Sequence, residues 1–147
     1  MGIRQEMPLL ARHAGEWKGT YLHVDADATI IDQHRSHLIC TFPEDGPHQY
    51  FQTNIYEWRD GRREKFDFPA IYRDRRIWWD TERIVGSAWE IDENTIVLTW
   101  TRKDLPGASL YEMIQLCPEG HHRARTWHWF KDGELYQRTL IKEERFK

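Results

Sequence analysis

The strongest constraint on the fold is a run of short alternating segments that extends from Gly15 almost to the end of the chain. Large and small residues alternate within segments such as "EWKGTYLHV" and "NTIVLTWTR", which is typical of strands whose two faces meet different surroundings. Turn residues separate the segments, as in "RDGR" and "KDG". The pattern predicts about ten strands, joined mostly by turns of about two to five residues.

Short connections favour strands that pair with their neighbours in sequence, and therefore an antiparallel meander. An open sheet of about ten strands would leave two unpaired edges, so closure is favoured. We predict an all-β fold, a closed antiparallel up-and-down β-barrel of about ten strands, in one domain spanning residues 1–147. A short helix from about Pro8 to His13 is expected before the barrel, because proline suits a first turn and Gly15 can follow a helix end.

Composition argues against several classes of partner. The formal net charge is −3 and the isoelectric point is near 6.2, so neither nucleic acid nor a membrane is favoured. No apolar run is long enough to span a bilayer, and the N-terminus lacks the apolar core of a secretion signal, so we expect a cytoplasmic protein. Cys40 and Cys117 lie in apolar runs and are expected to be buried free thiols.

Aromatic residues make up 14% of the chain and include 8 tryptophans, although the mean hydropathy is −0.81. Such rings form either a packed core or a recognition surface. A barrel of about eight to ten strands is near the size at which side chains no longer fill the interior, so a ligand cavity is expected. Strand alternation gives these candidate ligand-binding residues: Tyr21, His23, Tyr56, Trp100, Arg125, Trp127, Trp129, Tyr136 and Arg138. For the strand that carries Tyr56, both faces remain open.

Arginines inside a barrel need anionic partners. Glu112 is one candidate partner of Arg125 and Arg138. A ligand carboxylate or phenolate is another, because a guanidinium can bind it through two hydrogen bonds. The main hypothesis is therefore binding of a small hydrophobic or aromatic molecule that bears an acidic or phenolic group. A structural ion pair closing the barrel end is the alternative role for both arginines.

A second hypothesis is a cofactor-independent acid–base enzyme acting in the same cavity, such as an isomerase, a hydratase or lyase, or a cyclase. His23 would be the acid or base, Tyr21 would donate to a developing oxyanion, and Glu112 would orient the histidine. Whether the protein is an enzyme stays open. A third hypothesis is a filled barrel that acts as an interaction module, and a homo-oligomer is also left open.

Eight histidines raise the question of a metal site, but the sequence has no spacing typical of metal ligands. His34 and His37 are three apart, which places them on opposite faces of a strand, and His121 and His122 fall in a turn. No glycine-rich phosphate loop follows a strand. We therefore predict neither a metal nor a cofactor.

Gly15-Glu16-Trp17, after the predicted helix, resembles the Gly-x-Trp signature of the lipocalin-like, or calycin, superfamily. In that superfamily the tryptophan packs across the closed end of the barrel, and an arginine of the last strand lies near it. By position this would be Arg138, in "YQRTLIKEE", facing Trp17. The chain as a whole also resembles bacterial calycin-like proteins of unassigned function, with similar blocks at "HAGEWKGTY", "RIWWDT" and "GSAWEID". The resemblance covers nearly the whole length and implies binding of a small, mostly apolar molecule.

Overall fold

The computed structural model describes residues 2–146, which form ten strands and two short helices. The helices are α1 (Ile3–Glu6) and α2 (Pro8–Ala11). The strands are β1 (Gly15–Asp25), β2 (Ile30–Thr41), β3 (Tyr50–Glu57), β4 (Arg63–Arg73), β5 (Arg76–Asp80), β6 (Ile84–Glu90), β7 (Thr95–Arg102), β8 (Ala108–Leu116), β9 (His122–Lys131) and β10 (Glu134–Arg145). Each strand pairs with its neighbours in sequence, and β1 pairs antiparallel with β10 to close the barrel. The predicted closed up-and-down barrel is confirmed.

Strand β1 shows how the alternating sequence forms a barrel wall. Trp17 and Tyr21 face inward and are buried, whereas Lys18 is exposed. Between them, a Cβ at Gly19 would lie 2.0 Å from the backbone oxygen of Lys142 on β10. Glycine at this position therefore lets the first and last strands approach closely enough to close the barrel.

The two helices lie at the end of the barrel where β1 begins. Leu9 and Leu10 on α2 are buried, and the Leu10 N–H donates to Glu90 Oε2 at 2.7 Å. The predicted helix over 8–13 therefore exists but ends at Ala11, and α1 was not predicted because four residues carry too little periodicity. Neither helix within residues 2–146 is long and apolar enough to cross a bilayer.

Trp17 closes this end of the barrel. Its Nε1 donates to the backbone oxygen of His13 at 3.0 Å, and its ring lies under the guanidinium groups of Arg123 and Arg145, at 4.4 and 4.3 Å from the ring centre. Arg145 is also the register partner of Trp17 across β1 and β10. The last-strand arginine expected near the tryptophan is therefore Arg145, and the assignment to Arg138 was wrong.

The residues of β10 that face the interior are not the predicted ones but those that alternate with them. Thr139 and Ile141 are buried, whereas Leu140 is 41% exposed. Arg138 shares the outer face with Leu140, because successive strand residues alternate between faces. The placement of Arg138 inside the cavity was therefore wrong.

A β-bulge near the start of β10 explains this difference. The register between β9 and β10 shifts between Leu135 and Gln137, and such an irregularity reverses the alternation. Gln137 reaches the interior histidine His23 through its side-chain amide. Tyr136 is 36% exposed, with its ring 6.5 Å from that of Trp129, so it borders the open end and does not line the cavity interior.

The two cysteines are free, but only one is buried. Cys40 is buried as predicted, whereas Cys117 is only partly buried beside the turn between β8 and β9. The backbone N–H of His122 donates to Cys117 Sγ at 3.2 Å and lowers the pKa of that thiol. The expectation of a buried Cys117 was wrong because the apolar run ends at the barrel rim.

Candidate functional site

Aromatic rings line the inside of the barrel, as the alternation predicted. Trp127 is the centre of the group: its ring centroid lies 5.5 Å from that of Tyr21, 6.4 Å from Trp100 and 5.7 Å from Trp129. All three contacts are edge to face, the arrangement that aromatic quadrupoles favour. Tyr56, whose strand face was left open, is buried inside, and its hydroxyl donates to the Tyr21 hydroxyl at 3.4 Å.

Two spaces adjoin these rings. An inner cavity of ≈ 50 Å³ is bordered by Trp79 among others, and an outer pocket of ≈ 120 Å³ is bordered by Arg102. Phe68, Trp100 and Trp127 line both spaces. The same three rings therefore separate the inner cavity from the outer pocket.

The inner cavity is smaller than the sequence led us to expect. A volume of ≈ 50 Å³ is enough for a few water molecules, whereas small-ligand pockets generally measure about 300–1,000 Å³. The large rings of the barrel fill most of the interior themselves. A ligand of ordinary size would enter only if the rings between the two spaces moved apart.

Three indole N–H groups around the inner cavity lack a hydrogen-bond partner. The Nε1 atoms of Trp79, Trp100 and Trp127 are buried, and none makes a hydrogen bond of ordinary geometry within residues 2–146, although Trp127 Nε1 lies near enough to the Glu112 carboxylate to lower the pKa of that group. A buried donor left unsatisfied costs about 1–3 kcal/mol, and such donors are rare in folded proteins. The cavity thus combines an apolar, aromatic lining with three donors, which suits a molecule that carries acceptor atoms.

Arg125 is the centre of a buried ionic network on the wall of this cavity. It donates from Nη1 to Glu112 Oε2 and from Nε to Glu143 Oε1, both at 2.9 Å, and from Nη2 to the Tyr21 hydroxyl. Arg123 donates from Nε to the same oxygen of Glu143 at 2.6 Å. The predicted pairing of Glu112 with Arg125 is therefore present. Because its nitrogens already have protein partners, Arg125 is not free to hold a ligand anion.

The pKa of Glu112 is raised above its usual value, whereas that of Glu143 is lowered. Burial raises the pKa of Glu112, against the opposing effect of Arg125. Burial would also raise the pKa of Glu143, but Arg123 and Arg125 outweigh it and hold that pKa below its usual value. Glu143 is therefore the more firmly ionised member of the network.

His23 and His34 form a hydrogen-bonded pair at the other end of the barrel. Their Nε2 atoms are 3.0 Å apart, and His34 Nδ1 lies 3.2 Å from the backbone oxygen of Arg35. A carbonyl oxygen only accepts, so His34 donates from Nδ1 and accepts at Nε2. His23 then donates from Nε2, and its Nδ1 accepts from Thr139 Oγ1 at 2.9 Å and from Gln137 Nε2 at 3.3 Å.

This arrangement bears on the acid–base hypothesis. Burial and the neighbouring His34 lower the pKa of His23 to about 4, far from the value near the working pH that suits a general base. Glu112 was expected to orient His23, but its hydrogen bond goes to Arg125, while Thr139 and His34 hold the imidazole. The catalytic roles of His23 and Tyr21 stay predictions that these contacts do not specifically favour.

Asp32 completes the polar cluster, and the sequence analysis missed it. Asp32 is the register partner of His23 across β1 and β2, and it shares a strand face with His34. One ligand atom from each of the three residues lies within 4.8 Å of the others. Trp58 Nε1 donates to Asp32 Oδ1 at 3.0 Å and to Oδ2 at 3.1 Å. The Asp-x-His spacing is visible in the sequence, but its pairing with His23 depends on the hairpin register.

The closed ten-stranded barrel, sealed at one end by Trp17 and lined with rings inside, defines a lipocalin-like, or calycin, fold. No protein-family model matches the sequence, and no curated protein matches it either.

Solved structures share this fold at low sequence identity. The S-type phycobiliprotein lyase CPES from Guillardia theta is 16% identical with a TM-score of 0.75, over 100% of this chain and 94% of its own. A protein with unknown function from the DUF3598 family of Nostoc punctiforme is 18% identical with a TM-score of 0.74, over 93% of this chain. This chain spans about half, 49%, of the length of the Nostoc protein. Rv2717c from M. tuberculosis is 10% identical with a TM-score of 0.66, over 97% of this chain and 98% of its own. Identities this low establish a shared fold and not a shared function.

Proposed function

We propose that the protein binds a small hydrophobic or aromatic molecule, bearing an acidic or phenolic group, inside the barrel. The observation that carries this proposal is the set of unpartnered indole N–H groups of Trp79, Trp100 and Trp127 around the inner cavity. Carboxylate or phenolate oxygens are strong acceptors for such donors. The surrounding rings supply the apolar surface that small-ligand sites generally have.

Charge at the outer pocket supports an acidic ligand. Arg83 and Arg102 both line this pocket. They share one carboxylate, Asp104, which lies 3.6 Å from Arg83 Nε and 2.7 Å from Arg102 Nε. Two guanidinium groups with a single carboxylate leave an excess of positive charge, which attracts anions toward the pocket.

Entry would proceed from the outer pocket to the inner cavity. Trp100 and Phe68 stand between the two spaces, and both are only partly buried. Outward rotation of these rings would join the spaces without breaking the Arg125 network. The bound ligand would thus replace ring–ring contacts with contacts of its own, and its oxygens would accept hydrogen bonds from the indole N–H groups.

A fluorescence titration tests the proposal. The probe is 1-anilinonaphthalene-8-sulfonate, an aromatic anion, with the uncharged N-phenyl-1-naphthylamine as comparison. We expect saturable binding that changes tryptophan emission, with the anion preferred. The variant Trp79→Phe keeps a ring but removes one N–H donor, and should weaken binding of the anion about tenfold or more, since a hydrogen bond to a charged group contributes about 1.5–3 kcal/mol.

The matched control is Trp78→Phe. Trp78 neighbours Trp79 on β5 but donates its N–H to the backbone oxygen of Arg73 at 3.2 Å, away from the cavity. This variant should bind the anion as the unmodified protein does. Equal losses in both variants, or no saturable binding of either probe, would contradict the proposal and favour a filled barrel that acts as an interaction module.

A further inference from the structure

We propose that His23, Asp32 and His34 form a binding site for a divalent transition-metal ion, for which Zn²⁺ is the simplest occupant. The three side chains meet at the open end of the barrel, where β1 and β2 pair. One is an acidic oxygen ligand and two are imidazole nitrogen ligands, a set that both zinc and non-haem iron use. Three protein ligands leave coordination positions open for water or another molecule.

The distance between the two imidazoles already fits a shared ion. His23 Nε2 and His34 Nε2 are 3.0 Å apart. Two nitrogens bound to one Zn²⁺ at about 2.0–2.1 Å would lie about 2.9 Å apart at a right angle and about 3.3 Å apart at a tetrahedral angle. A carboxylate oxygen of Asp32 lies within 4.8 Å of a ring nitrogen of each histidine, so rotation of this side chain at the rim would complete the set.

Residues around the cluster form hydrogen bonds to two of these ligands, as is usual at metal sites. His34 Nδ1 donates to the backbone oxygen of Arg35 at 3.2 Å, which leaves the Nε2 lone pair directed at His23. Metal-binding histidines generally donate their second N–H to a carbonyl or carboxylate oxygen in this way. Asp32 is in turn held by the indole N–H of Trp58 at 3.0 Å.

To bind the ion, His23 must change tautomer and the side-chain amide of Gln137, whose Nε2 now lies 3.3 Å from His23 Nδ1, must turn its oxygen toward that atom. Its Nε2 now carries the proton shared with His34 Nε2, and an ion would take the place of that proton. The proton would move to His23 Nδ1, which lies 2.9 Å from Thr139 Oγ1, an atom able to accept it. The imidazole would remain neutral, so binding at neutral pH requires a change of tautomer and no net loss of a proton from His23.

Calorimetric titration of the metal-free full chain with Zn²⁺ alone tests this site. We expect saturable binding of a single equivalent. The variant His34→Gln should weaken that binding by at least about tenfold, since even residues that only support a ligand contribute about 10–100-fold to metal affinity. Replacement of Zn²⁺ by Co²⁺ should give a visible absorption band in the unmodified protein that His34→Gln abolishes.

The control is His37→Gln, on the same strand. His37 lies on the outer face of β2, where its Nε2 pairs with Glu16 Oε1 at 2.7 Å. A second control is His122→Gln, at the exposed start of β9 beside Cys117, where the structure places a residue that the sequence analysis assigned to a turn. Neither change should alter the affinity for Zn²⁺ or the Co²⁺ spectrum, because neither residue belongs to the cluster.

A second ligand variant that preserves the local packing keeps the test informative if His34→Gln fails to fold. Asp32→Asn keeps an oxygen that can accept from Trp58 but loses the negative charge, so it should fold and still bind Zn²⁺ more weakly. Absence of saturable binding in the unmodified chain would overturn the metal site. Binding that survives both Asp32→Asn and His34→Gln, or that depends on His122, would overturn it equally. This experiment uses no aromatic probe, so a negative result would contradict the metal site but not the proposed binding of an aromatic ligand.

Discussion

Arg145 and Trp17 face each other across the seam that joins the last strand to the first. The guanidinium lies 4.3 Å from the centre of the indole ring. It also donates from Nη1 to the backbone oxygen of Ala14 and from Nη2 to that of Arg12, both at 2.7 Å. One side chain thus links β10, β1 and the segment that follows α2.

Replacement of Arg145 by methionine should therefore lower the free energy of unfolding. The change keeps much of the side-chain length but removes the cation over Trp17 and the donors to three backbone oxygens, those of Arg12, Ala14 and Gly120, each hydrogen bond contributing about 0.5–1.5 kcal/mol. We expect a total loss of about 2–3 kcal/mol, measured by urea denaturation. Arg138→Met on the outer face of the same strand is the control and should change the stability little. Equal effects of the two variants would contradict the assignment of the structural arginine to Arg145.

The buried network predicts an unequal response of its two carboxylates. Glu143→Gln leaves Arg123 and Arg125 with less negative charge in the interior, and breaking a buried pair generally costs about 3–5 kcal/mol. Glu112→Gln should cost less, because within residues 2–146 the only ion pair of Glu112 is with Arg125, and burial already raises its pKa. Chemical denaturation at neutral pH measures both. A larger loss for Glu112→Gln would show that Arg125 depends mainly on Glu112.

The barrel architecture could be derived from the sequence because its evidence is local. Alternation and turn residues are visible segment by segment, and they place Tyr21, Trp127 and Trp129 on the inner face correctly. The same reasoning failed on β10, since a single bulge near Leu135 reverses the alternation and leaves no local trace in the sequence.

Features that depend on pairing between strands could not be predicted from the sequence alone. The cluster at Asp32 follows from the register of β1 against β2, which one sequence does not determine. The inner cavity is smaller than a ligand cavity should be, because strand number indicates the width of a barrel but not the volume that its rings occupy. Glu143, the main partner of Arg123, was missed because it lies on the misassigned face of β10.

Close approach of the first and last strands makes Gly19 sensitive to substitution. An added Cβ would lie 2.0 Å from the backbone oxygen of Lys142, which cannot move without breaking the strand pairing. Gly19→Ala should therefore lower the free energy of unfolding by more than the roughly 1–3 kcal/mol typical of overpacking. Gly61→Ala is the control: its Cβ would meet open space, and its positive φ of 93° should cost about 1–2 kcal/mol. If Gly19→Ala proves the milder change in thermal or urea unfolding, the close approach at the seam is wrong.

Buried His13 should make the protein less stable as the pH falls. Burial, with the neighbouring Arg123, lowers its pKa well below 6.5 in the folded state, so between that lowered pKa and 6.5 the unfolded chain binds more protons than the folded one. The free energy of unfolding then decreases with falling pH, at up to about 1.4 kcal/mol per pH unit for each such group. His13→Gln should reduce this slope in denaturation curves collected from neutral to mildly acidic pH, whatever its effect on absolute stability. The exposed His121→Gln should leave the slope unchanged, and a slope that His13→Gln fails to alter would mean that other groups govern the acid response.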